Sequence, residues 1–306
     1  METKIQINLN WNFRIKMRWI KNKIYRLVPR NLRIVSKIIY YGKIVPPFIR
    51  LRNLIYYGKS DFFNILNIET TTYCNLRCKF CPNSIYDRGL LENKKLMETK
   101  LFKKIIDELS EVKFRDGIAL HLYGEPLSDE RLSDFVEYIK KHCPKVKTSI
   151  NTNGFLLTIP IYQSLVKAGV SNILVSQYGN SIPPNCKKVL EYLKTRPKKE
   201  NKLTYRIFGD SEDGSDAVYN RGGEIKLDKI PDLPGCFYPK KVIHIDFNGN
   251  ILMCGQDYHS TIVQGNLNKE KLLEIWNKPS YRKLRKQFDK LEFHLEICKK
   301  CIGEIK

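Results

Sequence analysis

The sequence predicts an α/β protein built on a parallel sheet, with a small C-terminal module of a β-hairpin and a helix. Between residues 61 and about 210, strand-like apolar runs alternate with segments of helical spacing, as βαβ units require. Cysteines or polar turns follow several of these runs, at the strand ends where parallel sheets bind ligands. After Cys236 the pattern changes to two short strands, 242–247 and 251–253, joined by a turn at Asn248-Gly249-Asn250.

The alternating region divides into five strands and four helices. Strands are predicted at 65–70, 117–122, 146–150, 172–177 and 203–208. Helices are predicted at 99–110, 129–142, 159–168 and 184–194. We therefore expect a basic extension at residues 1–60, the parallel-sheet domain at 61–230 and the C-terminal module at 231–306, where helical segments lead from the hairpin to the last cysteines.

Length and composition limit the class of protein. The chain has 306 residues, of which 42% are hydrophobic, so it can bury a substantial core. No apolar run approaches the roughly 20 residues that cross a bilayer, and no signal peptide is evident. We therefore expect a cytoplasmic protein. In that reducing compartment its nine cysteines indicate metal binding or catalysis rather than disulfides.

The net charge of +22 is concentrated at the N-terminus. Residues 1–60 hold 14 Lys or Arg and a single acid, Glu2. Apolar and polar residues alternate over 5–19, which predicts a strand or hairpin, and helical spacing follows. Such a segment suits peripheral contact with an anionic membrane surface, or it packs its apolar face on the catalytic domain. Nucleic acid is disfavoured because no recognised binding motif accompanies the charge.

Three cysteines lie directly after the first predicted strand, in Cys74-Asn-Leu-Arg-Cys78-Lys-Phe-Cys81. Iron–sulfur cubes are normally held by four cysteine thiolates. A group of three therefore suggests a cube with one iron open to another ligand, which is typical of a catalytic site. A zinc site would need a fourth ligand, and no histidine is nearby to supply it.

This C-x3-C-x2-C spacing, with Phe80 before the last cysteine, resembles the signature of radical S-adenosylmethionine (radical SAM) enzymes. The resemblance implies a partial (β/α)6 barrel. It also implies a [4Fe–4S] cluster whose fourth iron binds S-adenosylmethionine, which is cleaved by one electron to a 5′-deoxyadenosyl radical. Phe80 would pack near the adenine.

Later strand ends carry further matches to this family. Tyr123-Gly124-Glu125-Pro126 resembles its Gly-Gly-Glu-Pro motif, with Tyr123 in place of the first glycine. Asn151-Thr-Asn153-Gly154 resembles its Thr-Asn-Gly turn, and Ser176 matches a common hydroxyl. The resemblance implies that Gly124, Glu125, Asn153 and Ser176 help to bind S-adenosylmethionine.

The C-terminal module supplies a second set of thiols, Cys236, Cys254, Cys298 and Cys301. Four thiolates are a complete set for one cube. The segment resembles a shortened SPASM domain of the Twitch type, with one auxiliary [4Fe–4S] cluster, and its spacing is close to that of aminocyclitol dehydrogenases. A zinc ion held by the same four cysteines remains the alternative.

The resemblance implies radical oxidation of a small polar alcohol, a sugar or cyclitol, to a ketone, with the auxiliary cluster as electron acceptor. Arg221 is the first candidate for a catalytic residue, followed by Asp257 with its neighbour Tyr258. Each also has an ordinary explanation as a surface or turn residue. His121 is expected to face the barrel interior or to be a core histidine.

Three other functions remain open. Radical epimerisation would need a thiol that returns hydrogen, and Cys143 and Cys186 are the two left over. Peptide or protein maturation is performed by many SPASM proteins. A zinc-bearing binding protein is the non-enzymatic alternative. For the radical reading, a flavodoxin or ferredoxin is the expected reductant because an acidic donor suits the basic surface.

Overall fold

The computed structural model describes residues 45–178, 181–208, 220–227, 236, 238–290 and 292–305. The hairpin and helices predicted within residues 1–44 lie outside this range, as does most of the loop predicted at 211–230. Among the described residues, no helix combines the length and apolar character that a membrane span requires.

The described residues form one eight-stranded sheet with the order β5-β4-β3-β2-β1-β6-β7-β8. The first six strands in this order run parallel, and β7 and β8 continue the sheet antiparallel. Six parallel strands with β5 and β6 at the ends are the expected partial barrel, so the predicted α/β fold is confirmed. The strands are β1 Ile65–Ile68, β2 Gly117–Leu120, β3 Lys147–Thr152, β4 Asn172–Tyr178, β5 Leu203–Phe208, β6 Val242–Ile245, β7 Asn250–Leu252 and β8 Val263–Asn266.

Helices connect consecutive parallel strands and agree with the sequence prediction within a few residues. The predicted helix at 129–142 begins later, at Leu132, because Pro126–Ser128 first forms a 3-10 turn. The helices are α1 Val45–Tyr57, α2 Thr99–Glu111, α3 Leu132–His142, α4 Ile159–Lys167, α5 Pro184–Lys194, α6 Tyr238–Lys241, α7 Leu272–Asn277, α8 Pro279–Asp289 and α9 Glu296–Ile302.

The two faces of the parallel sheet differ in chemistry because side chains alternate along each strand. One face is apolar and packs in the hydrophobic core with the connecting helices; its members include Leu66, Ile68, Ile118, Ile150 and Val175. The register places the intervening residues together on the opposite face, in rows that run across the strands. That interior face carries Asn67, Ala119, Ser149, Asn151, Ser176 and His244, most of them polar.

The C-terminal module is continuous with the barrel. Strand β6, predicted as the first strand of the hairpin, also pairs in parallel with β1 and so completes the six-stranded array. Four elements were not predicted: α1, α6, β8 and α9. Strand β8 has the sequence Val-Gln-Gly-Asn, which lacks strand-forming character, and α9 carries Cys298 and Cys301 on a single short helix ended by Gly303 at φ 77°.

Candidate active site

The first thiol set lies in a loop at the carboxyl end of β1. The loop is closed by backbone hydrogen bonds from Cys81 N–H to the Cys78 carbonyl (2.8 Å) and from Cys74 N–H to the Gly89 carbonyl (3.1 Å). Burial raises the pKa of Cys74 to about 11, with smaller contributions from the negative charges of Glu125 and Cys81. Burial and then the two neighbouring thiols raise the pKa of Cys78 to about 12. The three sulfurs are therefore close neighbours in a water-poor site.

The second set brings Cys236 and Cys254 together with the two cysteines of α9. Burial raises the pKa of Cys236 to about 11 and that of Cys298 to about 12, and the neighbouring thiols add to both shifts. Backbone donors already point at this set. The Gln256 N–H lies 3.3 Å from Cys254 Sγ, and the Gly222 N–H bonds Cys301.

The donor chemistry of both sets fits iron–sulfur clusters. Raised thiol pKa values mean that a cation must be bound before these groups become thiolates at neutral pH. Among the described residues, no three His, Cys, Asp or Glu side chains converge closely enough to hold one metal ion. Thiolates around a single zinc sit about 2.3 Å from the metal and so crowd together, whereas a four-iron cube keeps its ligands apart. Four cysteine thiolates are a complete ligand set for one cube, and a single zinc ion would use the same four.

The motif at the end of β2 is packed tightly against the segment that precedes the thiol loop. A Cβ added to Gly124 would lie 1.9 Å from the Thr71 carbonyl oxygen, so only glycine fits there. Glu125 is 3% exposed and donates its N–H to the Tyr73 carbonyl (2.8 Å). Its carboxylate accepts hydrogen bonds from Thr152 Oγ1 (2.6 Å) and the Asn153 N–H (2.9 Å). The ends of β1, β2 and β3 are thereby joined.

Asn153, Ser176 and Phe80 lie around the same strand ends. The Asn153 amide donates to Asn75 Oδ1 (2.8 Å), within the thiol loop. The Ser176 hydroxyl bonds Tyr178, whose ring lies 4.7 Å from that of Phe80. The electrostatic contacts of Tyr178 include Cys78, Cys81 and Arg221. The structure thus gathers the predicted cofactor residues beside the first thiol set and adds Tyr178, an interior-facing residue of β4 that the motifs did not indicate.

Arg221 lies between the two thiol sets. Its positive charge lowers the pKa of Cys78 and of His121, so it projects over the carboxyl end of the barrel. The backbone next to it, at Gly222, donates to Cys301. Arg221 itself has φ 52°, the left-handed region that costs a non-glycine residue roughly 1–2 kcal/mol. Strain held at such a position indicates a functional constraint.

Two histidines that face the barrel interior are held in the neutral form. Burial lowers the pKa of His121 to about 4, and Arg221 adds to the shift. Burial lowers that of His244 to about 3, with His121 as the second cause. The Nδ1 atom of His244 lies 3.2 Å from the Asn67 amide, and its buried Nε2 has no protein partner. His121, which was expected to be either an interior or a core residue, is half-buried and lies near His244. His244 and Asn67 belong to no sequence motif and were not predicted.

Asp257 does not join the site. Its carboxylate is 2% exposed and accepts hydrogen bonds from Thr261 N–H and hydroxyl (2.9 Å each) and from the Ile262 N–H (2.7 Å). These bonds give it a structural role in the loop after Cys254. Tyr258 is likewise buried and donates to Asn83 Oδ1 (2.8 Å).

The two remaining thiols are enclosed in the core. Cys143 and Cys186 are 3% and 0% exposed. Cys186 packs behind the Asn153-Gly154 turn, where a Cβ on Gly154 would lie 3.4 Å from its Cβ. Among the described residues, neither of these two thiols is exposed to return hydrogen in a radical epimerisation.

Comparison with family models identifies this arrangement. Residues 68–199 match the radical SAM superfamily, and residues 236–302 match the SPASM iron–sulfur cluster-binding domain. The chain carries a radical SAM domain followed by a SPASM domain. It therefore binds a [4Fe–4S] cluster and S-adenosylmethionine, and its SPASM domain binds an additional cluster.

Known proteins resemble this radical SAM chain over most of its length. The S-adenosyl-L-methionine-dependent 2-deoxy-scyllo-inosamine dehydrogenase of Niallia circulans is 29% identical, covering 79% of this chain and 94% of the relative. The crystal structure of BtrN with AdoMet and 2-DOIA is 28% identical with a TM-score of 0.67, covering 78% of this chain and 92% of that one. A structure of anSMEcpe with bound AdoMet has 15% identity and a TM-score of 0.51 over 78% and 86% of the two chains, and supports the fold alone.

Replacing Gly124 with alanine tests the close approach of β2 to the thiol loop. The added methyl meets the Thr71 carbonyl oxygen, so the loop must move. We expect S-adenosylmethionine cleavage to fall on the order of a hundredfold, as displacements of about 1 Å can do. Equilibrium dialysis with S-adenosylmethionine and counting of 5′-deoxyadenosine measure the effect. Gly117→Ala is the matched control, since its Cβ would stay 3.7 Å from the nearest atom, and equal loss in both variants would contradict the assignment.

The neutral histidines predict how stability depends on pH. Below pH 6.5 the unfolded chain protonates both rings, whereas the folded chain keeps them neutral down to about pH 4. Stability is therefore full above pH 6.5 and falls as the pH drops towards 4. His244→Gln should flatten the slope of the unfolding free energy between pH 6 and 5 by about 1 kcal/mol per pH unit. Denaturant unfolding measures it, with the surface variant His294→Gln as control; an unchanged slope for His244→Gln would refute the buried neutral ring.

Proposed function

We propose that this enzyme oxidises a secondary alcohol of a small polar molecule, a sugar or cyclitol, to the ketone. The named activity of the Niallia circulans relative supports the reaction class. The polar interior face of the barrel supports the substrate class. Asn67, His121 and His244 can form hydrogen bonds with a polar substrate, whereas a hydrophobic ligand would leave these side chains unpaired.

The observation that carries the proposal is the position of Arg221. It adjoins Cys78 of the first thiol set and is followed by Gly222, which bonds Cys301 of the second. A substrate bound beside Arg221 therefore lies between the site that generates a radical and a site able to receive an electron.

Oxidation to the ketone removes a hydrogen atom from the alcohol carbon, a proton from its hydroxyl group and one electron. When bound, the reduced first cluster and S-adenosylmethionine supply the 5′-deoxyadenosyl radical that takes a hydrogen atom. The hydroxyl proton and one further electron must then leave to give the ketone. A cluster held by Cys236, Cys254, Cys298 and Cys301 would supply the electron acceptor. Arg221 orients the alcohol oxygen by a charge-assisted hydrogen bond and makes its proton easier to lose. The neutral His121 beside it can accept a hydrogen bond from the alcohol, and its pKa of about 4 makes it a weak base.

We assign Cys74, Cys78 and Cys81 to the catalytic cluster and Cys236, Cys254, Cys298 and Cys301 to the auxiliary one. Phe80, Gly124, Glu125, Asn153 and Ser176 are assigned to S-adenosylmethionine. An acidic flavodoxin or ferredoxin is the proposed electron donor, since the chain carries a net charge of +22. A membrane surface contacted through residues 1–60 is the second proposed partner.

Cysteine variants separate the two halves of the reaction. Cys78→Ala should abolish formation of 5′-deoxyadenosine from S-adenosylmethionine under dithionite. Cys298→Ala should keep that cleavage, because the first cluster is intact, yet lose the ketone product by at least about a hundredfold. The assay is chromatography of both products after anaerobic reconstitution, beginning with 2-deoxy-scyllo-inosamine as candidate alcohol.

Cys143→Ala is the matched control, a buried cysteine outside both sets. Iron analysis should give about eight irons for the wild type and about four for a Cys74/Cys78/Cys81 triple alanine variant. Ketone formation by Cys298→Ala at the wild-type rate would remove the auxiliary cluster as acceptor. About four irons plus one zinc in the wild type would do the same while leaving the radical chemistry in place.

Arg221→Met tests substrate positioning. Loss of a hydrogen bond from a charged group costs about 1.5–3 kcal/mol, so kcat/KM for the alcohol should fall roughly tenfold to a hundredfold. Cleavage of S-adenosylmethionine without substrate should not change, and Arg221→Lys should recover part of the loss. Arg196→Met, a surface variant in the turn that follows α5, is the control. Equal loss of uncoupled cleavage would show that Arg221 acts on the cluster rather than on the substrate.

A further inference from the structure

Helix α1 presents an apolar face to solvent. Phe48, Leu51 and Ile55 follow one another at helical spacing, and Leu54 lies beside them. Their exposed fractions are 46%, 57% and 70%, with 52% for Leu54. Surface helices normally turn such a stripe towards the core, so this orientation is inverted.

Helix α1 is held to the protein by the Tyr57 ring, which stacks on Phe62 at 4.2 Å, and by hydrogen bonds from its polar side chains. Arg52 Nη2 donates to Asp116 Oδ2 at 2.7 Å, and the Tyr57 hydroxyl donates to the same oxygen at 2.8 Å. Asn53 is 1% exposed and donates to the Phe62 carbonyl at 3.0 Å. These directional contacts fix the rotation of the helix, so the apolar stripe is kept outward by the fold.

The basic charge of the segment that contains α1 indicates that the partner of its exposed apolar face is anionic. Residues 45–60 contain Arg50, Arg52 and Lys59 and no acidic residue, and residues 1–60 together hold 14 basic residues against one acid. An apolar helix face within so basic a segment of the sequence has the chemistry of a segment that lies in the interface of an anionic bilayer. We propose that α1 docks the enzyme on an anionic phospholipid surface, with Leu51, Leu54 and Ile55 inserted among the lipids.

The position of α1 sets the orientation of the docked enzyme. Its partners Phe62 and Asp116 directly precede β1 and β2, so the helix lies at the amino ends of the parallel strands. The thiol loop follows β1 at the opposite, carboxyl end. The lipid surface therefore meets the end of the barrel away from the chemistry, and the substrate enters from the aqueous side.

The test uses the full-length holoenzyme and vesicles under anaerobic conditions. Co-sedimentation is measured with phosphatidylcholine vesicles alone and with vesicles that contain phosphatidylglycerol. The Leu51→Glu/Ile55→Glu double variant is compared with Leu91→Glu/Ile207→Glu, which places the same charges on equally exposed aliphatic positions, 62% and 58%, away from α1. Circular dichroism and iron content confirm that each variant is folded and loaded.

We expect binding to the anionic vesicles alone, and a partition coefficient roughly tenfold or more lower for the α1 variant than for its control. Raising the salt concentration should weaken wild-type binding because the charges are screened. No wild-type binding, or equal binding by both double variants, would overturn the proposal. A wild-type dimer in sedimentation velocity that the α1 variant alone dissociates would instead assign the face to a second copy of the chain. None of these outcomes depends on the alcohol substrate, so they leave the proposed reaction to be judged separately.

Discussion

The buried ion pair between Glu69 and Arg88 is the contact on which the site depends. Glu69 follows the last residue of β1 and is 1% exposed, and Arg88 Nη2 lies 2.5 Å from its Oε2. Arg88 also donates to the Tyr258 carbonyl at 2.9 Å. Loss of either partner would leave a buried charge uncompensated, at a cost of about 3–5 kcal/mol. One side chain thus ties the barrel strand, the loop that follows the first thiols and the C-terminal module together.

Aromatic packing around Arg88 extends this connection. The Tyr123 ring meets that of Tyr258 edge-on at 4.8 Å, and its hydroxyl donates to the Gly255 carbonyl at 2.8 Å, next to Cys254. Tyr123 occupies the position where the family motif has glycine, and its side chain faces the module rather than the cofactor residues. Both Cys81 and Cys254 act electrostatically on Tyr123, so this substitution places a rigid ring between the two thiol sets. The packed Tyr123 ring therefore helps to hold the two thiol sets in position relative to each other.

The sequence predicted the features that local patterns encode, and it did not predict contacts that form only when distant strands pair. The strands, the helices and both thiol sets carry local signals, in periodicity or in cysteine spacing, and the structure confirms the fold they imply. His244 and Asn67 become neighbours only because β6 pairs with β1, a contact between residues 177 positions apart. Asp257 is a different case: the sequence gives no sign that its carboxylate accepts hydrogen bonds from Thr261 and Ile262, which account for its burial without a catalytic role. Strand alternation could have indicated Asn67, a polar residue between apolar ones in β1.

The common direction of the parallel strands explains why the candidate active site and helix α1 lie at opposite edges of the sheet. All six parallel strands end at the same edge, so loops from distant parts of the chain meet there, and the first thiol set, the Glu125 motif and Tyr178 occupy that edge. The opposite edge receives only the starts of strands, and Asp116 and Asn64 there anchor α1. The site residues at the carboxyl edge and helix α1 at the amino edge therefore use different surfaces of the barrel. Helix α1 can therefore expose apolar residues without disturbing the catalytic pocket, because the pocket lies at the opposite, carboxyl end of the strands.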